Sequence, residues 1–379
     1  MTRTARLCAV LAVGIVVVAS AAVYALKASQ KMPDFEVYWR AGLRAAHAEP
    51  LYTLDDGHYQ LKYLPAFAMI AVPLAWLPLD VAKAVWFALS IGVLGGFVAM
   101  SIGLLPERRK RLPVLVTLVV LAMAKFYGHE LVLGQVNLLL GATVVAAVHL
   151  LMKDHQVPAG LLLALAVVIK PYAVIFVPWL AAIGRWRALV WTGAGLVGAS
   201  LLPVTVYGAS ATWTLHREWW RTVSASTGPN LLNADNVSLA AMFAKWLGPG
   251  EAASWLALLS SAALLAAAAD VIRRRRTVRA PLGLEAALLL TLMPLLSPQG
   301  WDYVFLLATP AVAFLVNDGD RLPRPVGIAA ALALAIVAFS LFDIMGRRAY
   351  ATFMSLSIVT VCFLVVIGAL YALRVRRFA

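Results

Sequence analysis

Long apolar runs broken by short polar stretches dominate the chain. Residues 7–26 form an unbroken apolar run of twenty, the ~20 residues that a bilayer-crossing helix needs. Further runs fall at about 64–78, 82–105, 113–126, 136–152, 157–169, 171–183, 188–207, 251–272, 281–297, 301–316, 325–343 and 350–372. Several span only 12–16 residues, too few to cross unaided. They read as tilted, broken or re-entrant segments, which a membrane accommodates where the backbone is buried in protein or lines a cavity. The pattern predicts an all-α polytopic membrane protein of about twelve transmembrane helices. It forms one integral domain over residues 1–379, with a first extracytoplasmic loop at 27–63 and a second long one at 208–250.

The first loop departs most from its surroundings. In Pro33-Asp34-Phe35-Glu36-Val37-Tyr38-Trp39-Arg40, two acids, an arginine and three aromatics stand beside apolar sequence. Charge next to a bilayer is costly unless it meets water or a partner. Residues 34–48 are helix-compatible, with Pro33 before Asp34 at a plausible N-cap. Phe35, Tyr38, Trp39, Gly42 and Leu43 repeat at helical spacing. This predicts an amphipathic helix on the membrane face, its aromatics in the interface.

Composition and charge agree with a membrane protein. The chain is 63% hydrophobic and 13% charged, with mean hydropathy +0.86, against about a quarter charged in a soluble domain. The formal charge of +14 sits in short clusters: Arg108-Arg109-Lys110-Arg111, Arg185 and Arg187, residues 273–279, and Arg374, Arg376 and Arg377. That is the positive-inside pattern rather than a nucleic-acid surface. In residues 27–63 five basic and five acidic side chains cancel, as an outside loop should. The clusters predict both termini inside, although a fully spanning 64–78 would break the parity. Cys8 and Cys362 lie in apolar runs, and the histidines are scattered, so neither a disulfide framework nor a metal site is indicated. No Walker A, Gly-x-Ser-x-Gly or His-Glu-x-x-His motif occurs, and no cofactor is expected.

Under this topology the polar residues gather on the outer face: Asp34, Glu36 and Arg40; Lys62 and Tyr63; His129 and Glu130 with Gln135 and Asn137; Lys170; residues 235–238; and Trp301, Asp302 and Tyr303. Asp34 reads either as a helix cap or loop acid, or as a general base at the membrane surface. Glu36, two residues on, points away from it on a helix and suits a salt bridge. Lys170 reads as a snorkelling lysine or as a point charge for a phosphate. Gln135 and Asn137 fit a helix start, interhelical bonding or sugar hydroxyls. Trp301 fits an interfacial belt or a sugar-stacking face.

Six segments in order resemble glycosyltransferase family 87, polytopic bacterial enzymes of the GT-C superfamily. They are Asp34-Phe-Glu-Val-Tyr-Trp-Arg-Ala-Gly, Tyr63-Leu-Pro, Gly134-Gln-Val-Asn, the run from Ala159 to Lys170-Pro171, Asp235-Asn-Val-Ser-Leu and Leu296-Ser-Pro-Gln-Gly-Trp-Asp. The resemblance implies a GT-C-like bundle that moves mannose from a polyprenyl-phosphate-sugar donor to a lipid or glycan acceptor. Transfer would be inverting, on the extracytoplasmic side of a bacterial cytoplasmic membrane. It implies Asp34 as the base. Lys170 and Arg40 become candidates for the donor phosphate, and Tyr38, Tyr63, Gln135, Asn137, Asn236, Trp301 and Asp302 candidates for sugar or acceptor. One departure stands out: family members often carry histidine where this chain has Asp302-Tyr303, so no role of that histidine transfers. The competing reading is a transporter or flippase of a lipid-linked solute, which predicts repeated halves with polar groups at mid-membrane. The chain shows no clear internal repeat, and its polar groups collect at one face.

Overall fold

The computed structural model describes residue 22 and residues 24–378; the first apolar run, residues 7–26, lies almost wholly outside them, as does Cys8. Its helices in chain order are α1 (Pro33–Ala46), α2 (Pro65–Ala75), α3 (Leu79–Gly103), α4 (Leu112–Leu133), α5 (Asn137–Met152), α6 (Gln156–Ile169), α7 (Phe176–Ala182) and α8 (Trp186–Leu201). There follow α9 (Val204–Asn230), α10 (Leu239–Leu247), α11 (Glu251–Arg273), α12 (Pro281–Leu296), α13 (Thr309–Asp318), α14 (Arg324–Phe339), α15 (Phe342–Ser355) and α16 (Ile358–Val375). Among the described residues the only β pairing is an antiparallel bridge between Asn236 and Trp301.

Four helical stretches are long and apolar enough to cross a membrane: α3, α4, Glu251–Thr277 and α16. Two bent pairs, α8 with α9 at 91° and α14 with α15 at 107°, raise the number to six if each is a broken span. The protein is therefore polytopic, with four to six candidate spans among the described residues where the apolar runs suggest about twelve. Part of the difference is that an apolar run need not face lipid. Nearly every residue of α12 is buried in protein, as an all-round apolar core helix should be. The 301–316 run divides into a buried 3-10 segment, Asp302–Ala308, and α13. α2 has 11 residues, about 16 Å of helix against a hydrocarbon core of about 30 Å, too short to cross alone. The stretch 208–250 is largely helical, built from the second limb of the α8–α9 bend and from α10.

Three local features place the site. α1 begins at Pro33, where a missing N–H costs nothing, after Met32 in the left-handed region. Asp34 is therefore inside the first turn and does not cap the helix. Phe35, Tyr38, Ala41 and Ala45 are buried against the protein, so the apolar face expected in a membrane interface packs on α2 and α3 instead. Gly42 permits this: a Cβ there would stand 2.5 Å from the Ala71 carbonyl oxygen of α2. Glu36 bonds Lys83 Nζ at 2.6 Å, the salt bridge its spacing suggests.

At the α4–α5 corner, Gly134 adopts φ 69°, ψ 33°, which glycine reaches without Cβ strain. The Gln135 N–H then bonds the Glu130 carbonyl at 3.0 Å, closing the helix end. Glu130 in turn accepts from the Leu138 N–H at 2.9 Å and from Asn137 Nδ2 at 2.8 Å, tying α4 to the start of α5. α6 ends at Lys170, whose extended backbone is what a following proline imposes.

α12 runs between a buried anchor and the cavity described below. Near its start Glu285, fully buried, accepts from Trp179 Nε1 at 2.9 Å and pairs with buried Arg374 at 3.2 Å. Arg374 also donates to the Val271 and Pro281 carbonyls at 3.0 and 2.9 Å. Beyond its other end, Ser297, Pro298 and Gln299 reach a cavity. Removing one partner of a buried ion pair leaves the other uncompensated. Arg374→Ala should lower stability by about 3–5 kcal/mol, read as a fall in the melting temperature of the detergent-solubilised protein. A melt equal to wild type would show that the pair does not hold the C-terminal helix.

Candidate functional site

Many of the polar residues singled out in the sequence meet in one cavity of about 530 Å³. α1 contributes Asp34 and Tyr38, the loop before α2 contributes Lys62 and Tyr63, and the α6 end contributes Lys170. His129 and Gln135 enter from the α4–α5 corner. The second half of α9 forms another side with Trp219, Trp220 and Thr227, and Asp235, Gln299, Trp301 and Tyr303 close the rest. α9 is fastened there by Trp219 Nε1 donating to the Lys62 carbonyl at 3.2 Å. Gln299 Nε2 also donates to the Ser226 and Thr227 hydroxyls, at 3.1 and 3.0 Å.

Gln135 organises the wall beside Asp34. Its Oε1 accepts from the Tyr38 hydroxyl at 3.0 Å, and its Nε2 donates to the Tyr303 hydroxyl at 3.1 Å. Tyr38 and Tyr63 share a hydroxyl hydrogen bond of 2.7 Å, and Tyr63 stacks on Phe67 at 4.4 Å between centroids. Lys170 holds its ammonium near two rings, 5.6 Å from Tyr63 and 5.8 Å from Tyr172, which leaves a cation in a tyrosine-lined niche.

The electrostatics of this corner are those of a half-buried acid facing cations. Burial raises Asp34 above the ordinary aspartate range, while hydrogen bonding to Gln135 and the charges of Lys170, Lys62 and His58 pull it back. Lys170, at the break between α6 and the next turn, is pushed by burial down to about 8, against the attraction of Glu130 and Asp34. Lys62 is also lowered by burial and raised by Asp34. Neither lysine forms an ion pair within 4 Å among the described residues. The arrangement offers a carboxylate able to accept a proton and two cations able to hold an anion. Among the described residues no three His, Cys, Asp or Glu side chains gather as a metal-binding group.

Six of the sequence candidates line the cavity: Asp34, Tyr38, Tyr63, Gln135, Lys170 and Trp301. Four do not. Arg40, expected near a donor phosphate, turns to Asp56 at 3.1 Å. Asp56 also holds Arg44 and is drawn down to about 2, chiefly by hydrogen bonding to Arg44. Asn137 is a strut behind the wall: it donates to Glu130 and accepts from the Tyr172 hydroxyl at 3.2 Å. Asn236 is buried, with Nδ2 on the Asn230 and Pro298 carbonyls at 3.0 and 2.9 Å and Oδ1 on the Ser238 N–H at 3.1 Å. Asp302 is fully buried, 3.1 Å from His129 Nδ1 and 3.7 Å from Lys125 Nζ. Each of these four is spent on a protein partner that spacing alone does not reveal. Conversely, Lys62, His129 and Asp235 were visible as polar positions beside apolar runs, but only the fold brings them to the cavity. Trp219 and Trp220 carried no such signal, and Gln299 stood only within the quoted segment 296–302.

The family model of glycosyltransferase family 87 matches residues 61–298, more than half of the chain. The chain belongs to glycosyltransferase family 87. It is a membrane glycosyltransferase, acting on a sugar donor and an acceptor. Neither the curated proteins nor the solved structures contain a match. The matched stretch of this glycosyltransferase includes Tyr63, Gln135, Lys170 and Asp235 and ends before Trp301; Asp34 lies upstream of it. The cavity joins the matched and unmatched parts.

Arg40 and Asn236 give a contrasting pair of tests. Asp56 keeps its two hydrogen bonds to Arg44 when the part-exposed Arg40 is removed, so Arg40→Ala should keep near-wild-type glycosyl transfer. Asn236→Ala leaves backbone groups unpaired at about 1–3 kcal/mol, so it should lower the melting temperature. Loss of donor use in Arg40→Ala with an unchanged melt would return that arginine to the site.

Proposed function

We propose that this protein transfers a hexose, mannose in the first instance, from a polyprenyl-phosphate-linked donor to a hydroxyl of a lipid or glycan acceptor. The reaction takes place on the extracytoplasmic face of a bacterial cytoplasmic membrane. The observation that carries this reading is the meeting of Asp34 with Lys170 and Lys62 in one cavity. A transferase that uses a phosphate-linked sugar needs a base for the acceptor and a cationic seat for the departing phosphate, and this corner offers both.

In the mechanism, the Asp34 carboxylate accepts the proton of the acceptor hydroxyl as its oxygen bonds to the anomeric carbon. The bond from that carbon to the phosphate oxygen breaks on the opposite side, which inverts the configuration. The electron pair leaves on the polyprenyl phosphate, whose charge Lys170 and Lys62 offset. No separate acid is required, because a phosphate leaves as a stable anion. Burial raises the Asp34 carboxyl and so makes its carboxylate a stronger base, while hydrogen bonding to Gln135 and the charge of Lys170 oppose that rise and favour the ionised form. Lys62 replaces Arg40 as the second cation.

Asp34→Asn keeps the shape and removes the base, so transfer should fall by about 10²- to 10⁴-fold with expression and melting unchanged. The measurement is label passing from radiolabelled polyprenyl-phosphate-mannose into membrane lipid. Equal incorporation by variant and wild type would rule Asp34 out as the base.

The pH profile follows from the two shifts. The reactive form has Asp34 ionised and Lys170 protonated. Activity should fall as pH drops through the raised range of Asp34, and fall again as pH rises through about 8. Lys170→Arg, charged throughout, should move the alkaline limb upward while raising the donor KM. An alkaline limb that stays in place would assign it to another group.

A further inference from the structure

The transfer step leaves one carboxylate of the cavity unused. Asp235 is half-buried on the loop between α9 and α10 and faces the cavity with His129 and Trp301. Its backbone is fixed on both sides. The N–H donates to Asn233 Oδ1 at 2.9 Å, and the carbonyl accepts from the Asp302 N–H at 2.9 Å. The next residues pair with the segment carrying Trp301: Asn236 bridges Trp301, and the Val237 N–H bonds the Gly300 carbonyl at 2.6 Å. The Asp235 side chain forms no ion pair within 4 Å among the described residues. His129 is held from behind, with Nδ1 3.1 Å from buried Asp302 and its ring edge-on to Tyr303 at 5.1 Å. Nε2 remains as its second hydrogen-bonding atom.

The charges divide the cavity. Asp34 lies in the field of Lys170, Lys62 and His58, whereas Asp235 shares its surroundings with Asp302, His129, Lys125 and Lys245. Lys125 is paired with Asp302, and Lys245 donates to the Ala234 and Asn236 carbonyls, so neither lysine is free to seat an anion, and the two carboxylates beside His129 oppose one. They suit hydroxyls: a carboxylate accepts from two neighbouring O–H groups, an imidazole gives or takes one more, and an indole offers an apolar face. The Asp34 corner and this one are joined by the Gln135–Tyr303–His129 wall. A hexose whose anomeric carbon lies between Asp34 and the lysines would extend its ring along that wall.

We propose that Asp235 and His129, beside Trp301, form the subsite for the ring hydroxyls of the donor hexose. Asp235 grips neighbouring hydroxyls, His129 adds a directional contact, and Asp302 acts as a positioning residue through His129. This assignment rests on the glycosyl-transfer reading given above, and it concerns recognition of the sugar rather than the bond that breaks.

The test uses the full-length detergent-solubilised protein with polyprenyl-phosphate-mannose, its 2-, 3-, 4- and 6-deoxy analogues, and a host-membrane lipid extract as acceptor. Asp235→Asn should raise the donor KM roughly tenfold or more, as loss of a charged hydrogen bond does, with the acceptor KM and the melting temperature unchanged. At least one deoxy donor that is poor for wild type should carry no further penalty in Asp235→Asn, because the contact is already gone. His129→Gln should raise the donor KM in the same direction, and adding Asp302→Asn to it should cost little more. A donor KM that stays put, a shift confined to the acceptor KM, or a variant that keeps every deoxy penalty in full would overturn the subsite. Wild type that transfers nothing from this donor would overturn the preceding reading instead, so the two failures are distinct.

Discussion

Three separate stretches of the chain have to meet at one amide. Gln135 takes a hydrogen bond from Tyr38 of α1 and gives one to Tyr303, far along the chain, while its own backbone closes the end of α4. In a protein surrounded by hydrocarbon, polar groups gain most when they satisfy one another. Around Gln135 that pressure converts loose requirements into a defined wall. Asp34 faces it from one side, Lys170 stands over Tyr63, whose hydroxyl bonds Tyr38, and His129 is next along the line. The Asp34 corner of the cavity is thus specified less by any one helix than by a polar seam threaded among apolar ones.

The seam was partly legible in the sequence. Asp34, Gln135, Lys170 and Trp301 stood out because each interrupts or borders an apolar run, and exposing such groups to lipid is expensive. The same criterion could not say which side of a wall a polar residue occupies. Asn236 and Asp302 flank residues that line the cavity, yet both face away from it into protein. Arg40 looked available until the fold brought Asp56 alongside, an acid visible in the sequence but with no marked partner. The link from His129 to Asp302 had no local signature at all, since the two are distant along the chain.

The helices show a similar division. Apolar runs announced an all-α membrane protein, but hydropathy does not separate a residue facing lipid from one facing protein. α12 and the 302–308 segment are as apolar as a span and are buried in the protein. α1 was foreseeable as a helix, and its aromatic face was read as membrane-seeking. The absence of a side chain at Gly42, which allows α2 to come close, sends that face inward instead.

The bridge between Asn236 and Trp301 has a consequence for how the molecule is made. It closes a loop of about 65 residues, which carries an entropic cost that only later contacts can offset. During synthesis the first side of that bridge emerges well before the second, and α10, α11 and α12 must be laid down in between. Contacts of such long range form late. The corner that carries Asp235 and Trp301 should therefore be among the last parts of the protein to take shape, after the helices around it have been inserted and packed. A chain halted before residue 301 would carry Asp34 and both lysines, yet lack the surface that completes their pocket.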